Sequence, residues 1–224
     1  VPAGATYKHK RRAARQKILE VANALLGTEL CDDTIIISTS GRNDYRCKGF
    51  DLFIHTMKIL QDLQVDHPVL SLIVVPCWKK EARKDLKEAM KLQRHLPLSY
   101  PFITHWLYNM NEDRIVNTIK DCNVRFGKEE RVHIILIPTY LDGHDGIFNL
   151  NYYDWLIGCD LCIYPSYYEP WGYTPLESAA FGIPCITTDL SGFGQWVKGQ
   201  LHREGHLADG VEVIHRTDSN DEEV

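Results

Sequence analysis

LCIYPSYYEPWGYTPLESAAFGIPCIT, residues 161 to 187, reads as strand, loop, helix and strand. Leu161 to Tyr164 is a short apolar run, Pro175 to Phe181 has helical character, and Pro184 to Thr187 returns to strand. Two buried strands joined by a helix form the parallel crossover unit, which makes the chain an α/β protein. The loop within the unit is the unusual part. SYYEPWGYTPLE, residues 166 to 177, holds two glutamates, four aromatic rings and two prolines, a mixture that no ordinary helix or strand needs. Its end reads as a helix start, with Thr174 at the N-cap, Pro175 at the first helical position and Glu177 completing a capping box.

The same alternation extends in both directions. Apolar positions at helical spacing run from Lys8 to Leu26 and stop at Gly27, a natural C-cap. Thr34 to Ser38 is a buried strand, Asp51 to Leu63 a helix, and Val69 to Val75 the most apolar strand of the chain. A charged helix is expected from Lys79 to Arg94, then an aromatic, proline-broken loop from Leu96 to Asn109 with room for a strand. A helix near Glu112 to Cys122 leads to the strand Val132 to Ile137, and a short helix over Tyr152 to Ile157 leads into 161. Beyond 187 come a short helix near Phe193 to Lys198 and a strand over Val211 to His215. Buried strands alternating with helices predict a doubly wound, mostly parallel sheet, which binds ligands at the carboxyl ends of its strands. The expected organisation is a leading helix and entry segment over 1–33, a Rossmann-like domain over 34–216, and an acidic, frayed tail over 217–224.

At 224 residues and 44% hydrophobic content the chain can bury one substantial core. Its formal net charge of −5 gives no general attraction to nucleic acid or anionic lipid, and the basic run Lys8, Lys10, Arg11, Arg12 reads as a solvated helix face. Seven scattered cysteines suit reduced thiols in a cytoplasmic protein, and Cys159-Asp-Leu-Cys162, with no second pair, reads as core packing. No apolar stretch reaches the length of a membrane span. His202 and His206 stand four apart but in loop-like context, so they are not read as a metal site. The chain starts at Val1 without methionine, which reads as a piece of a longer protein.

The loop 166–177 follows a strand and precedes a helix whose N-terminus, with Gly172 just before it, offers free N–H groups and the positive end of a dipole to phosphate. Neither the dinucleotide fingerprint nor the P-loop pattern occurs, so phosphate must be held in another way. The loop after the first strand, Ser38 to Gly49, opens on the same sheet edge and carries Arg42, Arg46 and Lys48. Two of these cations could face a phosphate seated on the later helix; three solvated charges are the equal alternative. Asp142-Gly-His-Asp145 lacks the spacing of a D-x-D metal motif.

Gly41-Arg-Asn-Asp-Tyr-Arg-Cys-Lys-Gly49, Pro165 through Glu177, Gly182-Ile-Pro184 and Leu190-Ser-Gly-Phe-Gly194, in this order, resemble the glycogen synthases of the fungal and animal type, which also have bacterial members. The likeness runs from about 34 to 196 and weakens after 199. It implies the C-terminal, donor-binding half of a two-domain GT-B enzyme with Rossmann-like halves. Such an enzyme transfers glucose with retention from UDP-glucose to the non-reducing end of glycogen or another α-1,4-glucan.

By the resemblance, Arg42 and Lys48 match phosphate-binding cations and Glu169 the carboxylate at the glucose hydroxyls. Trp171 and Gly172 match residues lining the sugar, Tyr173 and Thr174 the amides at the diphosphate, Glu177 the carboxylate on ribose, and Tyr152 the aromatic that stacks on uracil. Each has a plainer alternative: Glu177 as a cap, Trp171 and Tyr173 as wedges, Tyr152 as a surface ring. Arg42, Lys48 and the helix dipole can stand in for a metal, so with no D-x-D motif the expectation is no metal or other cofactor; the resemblance further implies a missing N-terminal Rossmann domain as partner and room for a homo-oligomer in the full-length protein. A nucleotide-sugar-binding module without catalysis, or a glucosyltransferase using ADP-glucose or another acceptor, remains the alternative function.

Overall fold

The computed structural model describes residues 3–63, 65–93, 96–201, 209–217 and 219. Among them lie helices α1 (Gly4–Leu26), α2 (Phe50–Asp62), α3 (Lys84–Leu92), α4 (Arg114–Asp121), α5 (Tyr152–Leu156), α6 (Tyr173–Ala180) and α7 (Gly192–Leu201). The strands are β1 (Ile35–Ser40), β2 (Val69–Val74), β3 (Lys79–Ala82), β4 (His105–Leu107), β5 (Val132–Ile137), β6 (Leu161–Tyr164), β7 (Cys185–Thr188) and β8 (Val211–Ile214). The acidic tail, Thr217 and Ser219 apart, and the pair His202 and His206 lie outside the described residues.

Six strands form a sheet in the order β5-β2-β1-β6-β7-β8, and every pair in it is parallel. The chain therefore builds outward from β1 in one direction, returns, and builds outward in the other, as in doubly wound folds whose ligand crevice opens where the order reverses, here between β1 and β6. β2 shows why the sheet is central. All six of its residues are buried. Leu70, Leu72 and Val74 point to the core under α1, α3 and α5, while Val69 and Ile73 point to the core under α2 and α4. A fully buried side chain of this kind contributes about 1.5–3 kcal/mol, so the run needs helices on both faces.

α1 ends at Gly27 as expected, in the left-handed conformation (φ 68°), and buries Ile18, Leu25 and Leu26 against the sheet. Its basic run is not merely solvated. Arg11 donates to the Ile157 and Cys159 carbonyls at 2.7 and 2.6 Å and joins Arg15 on Asp160, whose other oxygen also accepts from the Ile36 amide; Lys10 pairs with Asp154. The run clamps α1 to the corner that feeds β6.

The helix expected over 79–94 is instead a strand and a shorter helix. Lys79 to Ala82 pairs antiparallel with β4, inside the segment read as loop. The break falls at Arg83, whose buried guanidinium donates to the Ser99, Tyr100 and Ile103 carbonyls and to Asp85, and lies 4.4 Å from the Trp106 ring centroid. Those long-range bonds outweigh the helical propensity of the charged segment. Cys159 and Cys162 are core residues as read, and all seven cysteines are free thiols. No helix among the described residues is long and apolar enough to cross a membrane.

On β5, His133 is fully buried at the amino-terminal edge of the sheet, and neither ring nitrogen has a hydrogen-bond partner among the described residues. Burial, opposed by Glu130, pushes its pKa down to about 4 from 6.5. As pH falls, the unfolded chain takes up the proton before the folded one does. The stability tied to His133 is thus complete above about 6.5 and is lost as pH drops towards about 4. His133→Leu is expected to reduce the stability lost between pH 7 and 4.5, read from urea midpoints, and an unchanged loss would remove His133 as its source.

Candidate functional site

Parallel strands leave the ends of β1, β2, β5, β6 and β7 on one edge, and the two informative loops meet there. The loop after β1 and the loop after β6 are joined main chain to main chain: the Cys47 carbonyl accepts from the Tyr167 and Tyr168 amides at 2.9 and 3.2 Å. The approach is close enough to exclude a side chain. Gly49 caps α2 with φ 70°, and a β-carbon there would stand 1.9 Å from the Pro165 oxygen. Arg216, buried behind them, donates to the same Pro165 oxygen, and the Thr188 hydroxyl donates to the Ser166 carbonyl at 2.6 Å.

The far side of the β6 loop is fastened to the turn after β7. The Glu169 and Trp171 carbonyls accept from the Gly192 and Phe193 amides at 3.1 and 2.6 Å. The Ser191 hydroxyl accepts from the Gly194 amide, where a β-carbon would meet the Thr188 oxygen at 2.1 Å. The loop that carries Glu169 and Trp171 is therefore braced on both sides.

This bracing brings Lys48 and Glu169 into a salt bridge in which both side chains are mostly buried, 12% and 17% exposed. Lys48 lays its alkyl stem along Gly41, whose absent β-carbon would be 3.2 Å from Cδ and Cε. Arg42 is exposed and has no carboxylate partner among the described residues. Arg46 reaches Asp51 only at 3.9 Å, away from the pair.

α6 starts at Tyr173, two residues earlier than expected. Its N-cap is Gly172, with φ 104° and ψ 70° and no side-chain cap, so neither the Thr174 cap nor the Glu177 capping box forms. Pro175 falls within the first turn, where its missing N–H removes no helical bond. The Glu177 carboxylate instead accepts from the Tyr153 hydroxyl at 2.9 Å and holds that phenol above its usual pKa. Tyr153 also stacks on Phe181, with centroids 4.8 Å apart and planes 1° from parallel. Trp171 is about one-third exposed and edge-on to Phe193; Tyr173 points largely into solvent.

A cavity of about 180 Å³ opens beside the helix start, lined by Ser40, Gly41, Tyr140, Tyr152 and Thr174 among others. Tyr152 is no surface ring: its hydroxyl bonds Ser40 Oγ at 2.8 Å and burial pushes its pKa up. The volume is below the roughly 300–1,000 Å³ of a complete small-molecule pocket, so this face has room for only part of a drug-sized molecule. Gly41 links the cavity to Lys48. Around it the acidic loop is spent on structure: Asp145 accepts from the amides of Ile147, Phe148 and Asn149, and Asp142 from that of His144. No group of three metal-binding side chains occurs among the described residues. A larger cleft of about 490 Å³, lined by Thr28, Asp33, Lys128 and His133 among others, lies at the opposite edge, far from these loops.

The sequence reading missed Ser40, Tyr140 and Tyr153. Ser40, the last residue of β1, and Tyr140, in the loop after β5, fall at the carboxyl edge of the parallel strands where such folds bind ligands; Tyr153 gave no signal, since its partner Glu177 lies in another element. Gly49→Ala is expected to lower stability by more than about 2 kcal/mol, whereas Gly143→Ala costs less, because Gly143 has φ 89° but nothing within 4 Å of its missing β-carbon. Equal losses in chemical denaturation would show that conformational strain alone decides Gly49.

A family model described as glycogen synthase matches residues 78–224. The glycogen [starch] synthase of Caenorhabditis elegans is 30% identical over an alignment that covers 83% of this chain and 35% of that protein. The Neurospora crassa glycogen [starch] synthase is 41% identical over 126 residues, 56% of this chain and 17% of that protein, and the liver enzyme of Rattus norvegicus 39% over 125 residues, 55% and 17%. The chain thus spans about a third of the worm protein's length, and its alignments with the other two cover less. Among solved structures, a sucrose-phosphate synthase from Thermosynechococcus elongatus aligns with a TM-score of 0.47 and 19% identity, over 94% of this chain and 37% of that one. WaaG, a glycosyltransferase involved in lipopolysaccharide biosynthesis, aligns at 0.45 and 16%, over 95% and 39%.

Proposed function

Since this chain belongs to the glycogen synthase family, we propose that it is the donor half of a retaining GT-B glucosyltransferase, taking glucose from UDP-glucose to the non-reducing end of an α-1,4-glucan. Residues 34–216 are the nucleotide-sugar-binding domain, 1–33 its leading helix and 217–224 a tail; an N-terminal Rossmann-like half completes the cleft. The observation that carries the reading is the convergence of Lys48, Glu169 and the uncapped start of α6 beside a cavity walled by Tyr152. A hydroxyl-binding carboxylate, a cation with free amides, and an aromatic wall are what the sugar, the diphosphate and the base of a nucleotide sugar require.

Uracil lies in the cavity against Tyr152, and ribose hydroxyls donate to Glu177, oriented by Tyr153. The diphosphate sits on the amides of Tyr173 and Thr174, facing Arg42 and Lys48. Glucose occupies the hollow at Gly172 and Trp171 with its hydroxyls on Glu169. In the ligand-free chain Lys48 and Glu169 satisfy one another; the donor supplies each with a new partner, phosphate for the lysine and hydroxyls for the carboxylate.

The reaction breaks the bond between the anomeric carbon and the phosphate oxygen. Negative charge gathers on departing UDP while the sugar turns oxocarbenium-like, so fixed cations favour the transition state over the ground state. The leaving phosphate oxygen takes the proton of the attacking 4-hydroxyl on the same face, which yields retention. Glu169 positions and stabilises the sugar and is not the nucleophile. Arg42, Lys48 and the helix dipole supply the charge that a metal would bring, and the setting is cytoplasmic.

Titration calorimetry of the chain with UDP is expected to give the same affinity with and without EDTA, and Glu177→Gln to weaken it while the melting temperature holds; binding abolished by chelation would refute metal independence. In the full-length protein, Lys48→Ala is expected to cut turnover by about 100-fold, roughly 3 kcal/mol in the barrier, with a smaller change in donor affinity. Radiolabelled glucose incorporation into glycogen reads it, and normal turnover would remove Lys48 from the mechanism.

A further inference from the structure

Beside the donor loops lies a second cleft that none of these roles uses. Its volume is about 230 Å³, and its walls come from three connections: Asn43 after β1, Cys77 and Trp78 after β2, and Asn109, Glu112 and Asp113 between β4 and α4. Trp78 is 75% exposed and Tyr108 54%, although each is large enough to bury well. Their ring centroids are 5.1 Å apart with planes tilted by 40°, the Tyr108 amide donates to the Trp78 carbonyl at 3.2 Å, and Lys80 Nζ lies over the Tyr108 ring, 5.6 Å from its centroid. Tyr140, also exposed, stands on the wall of the neighbouring cavity.

The chemistry of the walls narrows what can enter. The lining holds two carboxylates, two amides and no cation. A phosphate or nucleotide would be repelled. A protein face would have to desolvate Glu112 and Asp113 or bring cations of its own to them, a demand on the partner that hydroxyl groups do not make. A neutral polyol meets neither objection. Its hydroxyls donate to Glu112 and Asp113 and exchange bonds with Asn43 and Asn109, while the C–H face of a pyranose ring lies on an exposed aromatic ring. The polar groups are already held in place: Glu112 accepts from Asn109 Nδ2 at 3.1 Å, Asp113 caps α4 by accepting from the Val116 amide, and Asn43 donates to Cys77 Sγ at 3.4 Å. Each carboxylate keeps a further acceptor oxygen.

We propose that this cleft is a subsite for the glucan chain, with consecutive glucose units stacked on Trp78 and Tyr108 and hydroxyls on Glu112, Asp113 and Asn109. The inference rests on the glucosyltransferase reading above and extends it to a part of the acceptor held by the donor half itself. Asn43 belongs to the same loop as Arg42 and Lys48. A chain anchored here therefore runs beside the donor, and its retention raises the local concentration of non-reducing ends without touching the reacting atoms.

The test uses the full-length protein and its Trp78→Ala and Trp78→Phe variants. It measures mobility in native gels cast with glycogen, UDP affinity by calorimetry, and melting temperature. Trp78→Ala is expected to weaken glycogen affinity by about tenfold and Trp78→Phe by less than about threefold, because phenylalanine keeps a stacking face, with UDP affinity within about twofold for both. Unchanged glycogen affinity in Trp78→Ala overturns the subsite. So does a loss accompanied by a fall in melting temperature, which would make Trp78 a packing residue against the other half of the protein. A parent protein that binds no UDP but whose glycogen affinity responds to Trp78→Ala keeps the subsite and removes the donor reading instead.

Discussion

The carbonyl of Pro165 occupies the space where Gly49 would carry a β-carbon. Around that contact the loops after β1 and β6 share the Cys47 carbonyl, Arg216 backs both, and α2 departs from its cap. The two loops belong to adjacent strands on either side of the point where the sheet order reverses. Everything that gathers there depends on the backbones approaching this closely: Lys48 reaches Glu169 because their loops share a wall, and α6 begins beside Gly41 for the same reason. A glycine at 49 is thus a requirement of the site as much as of the turn.

Lys48 and Glu169 are expensive neighbours. A mostly buried ion pair gains attraction but gives up hydration, and the net contribution to stability is small or unfavourable. The surrounding scaffold bears that cost. β2 buries on both faces, Asp160 fastens α1 through two arginines, and the Ser191 turn ties the β6 loop to the β7 turn. The charges are held on rigid elements, and it is the rigidity that allows them to be held unspent.

Much of this was legible in the residues. The apolar run of β2, the C-cap at Gly27 and the loop 166–177 each carry local signals, and the alternation of strands and helices predicts the parallel sheet. The readings that failed had long-range causes. Lys79 to Ala82 has helical composition but finds β4 as a partner, and Arg83 commits its guanidinium to carbonyls some sixteen to twenty residues on. Thr174 and Glu177 satisfy the capping pattern, yet Gly172 takes the cap position and Tyr153 takes the carboxylate. Arg11 sits in a run that looks solvated and is bound to carbonyls more than 140 residues away. Local pattern finds the elements; which polar group ends up bonded to which is decided by packing between them.

The bare start of α6 has a thermodynamic consequence. A helix capped by serine, threonine or aspartate is complete in itself, and losing such a cap typically costs about 1 kcal/mol. Gly172 supplies the backbone turn but no oxygen, so the first amides of α6 are left to solvent or to an incoming anion. On the proposed reading, the diphosphate of the donor would finish the helix. Binding and local folding then draw on the same free energy, and occupancy of the site becomes a term in the stability of the fold.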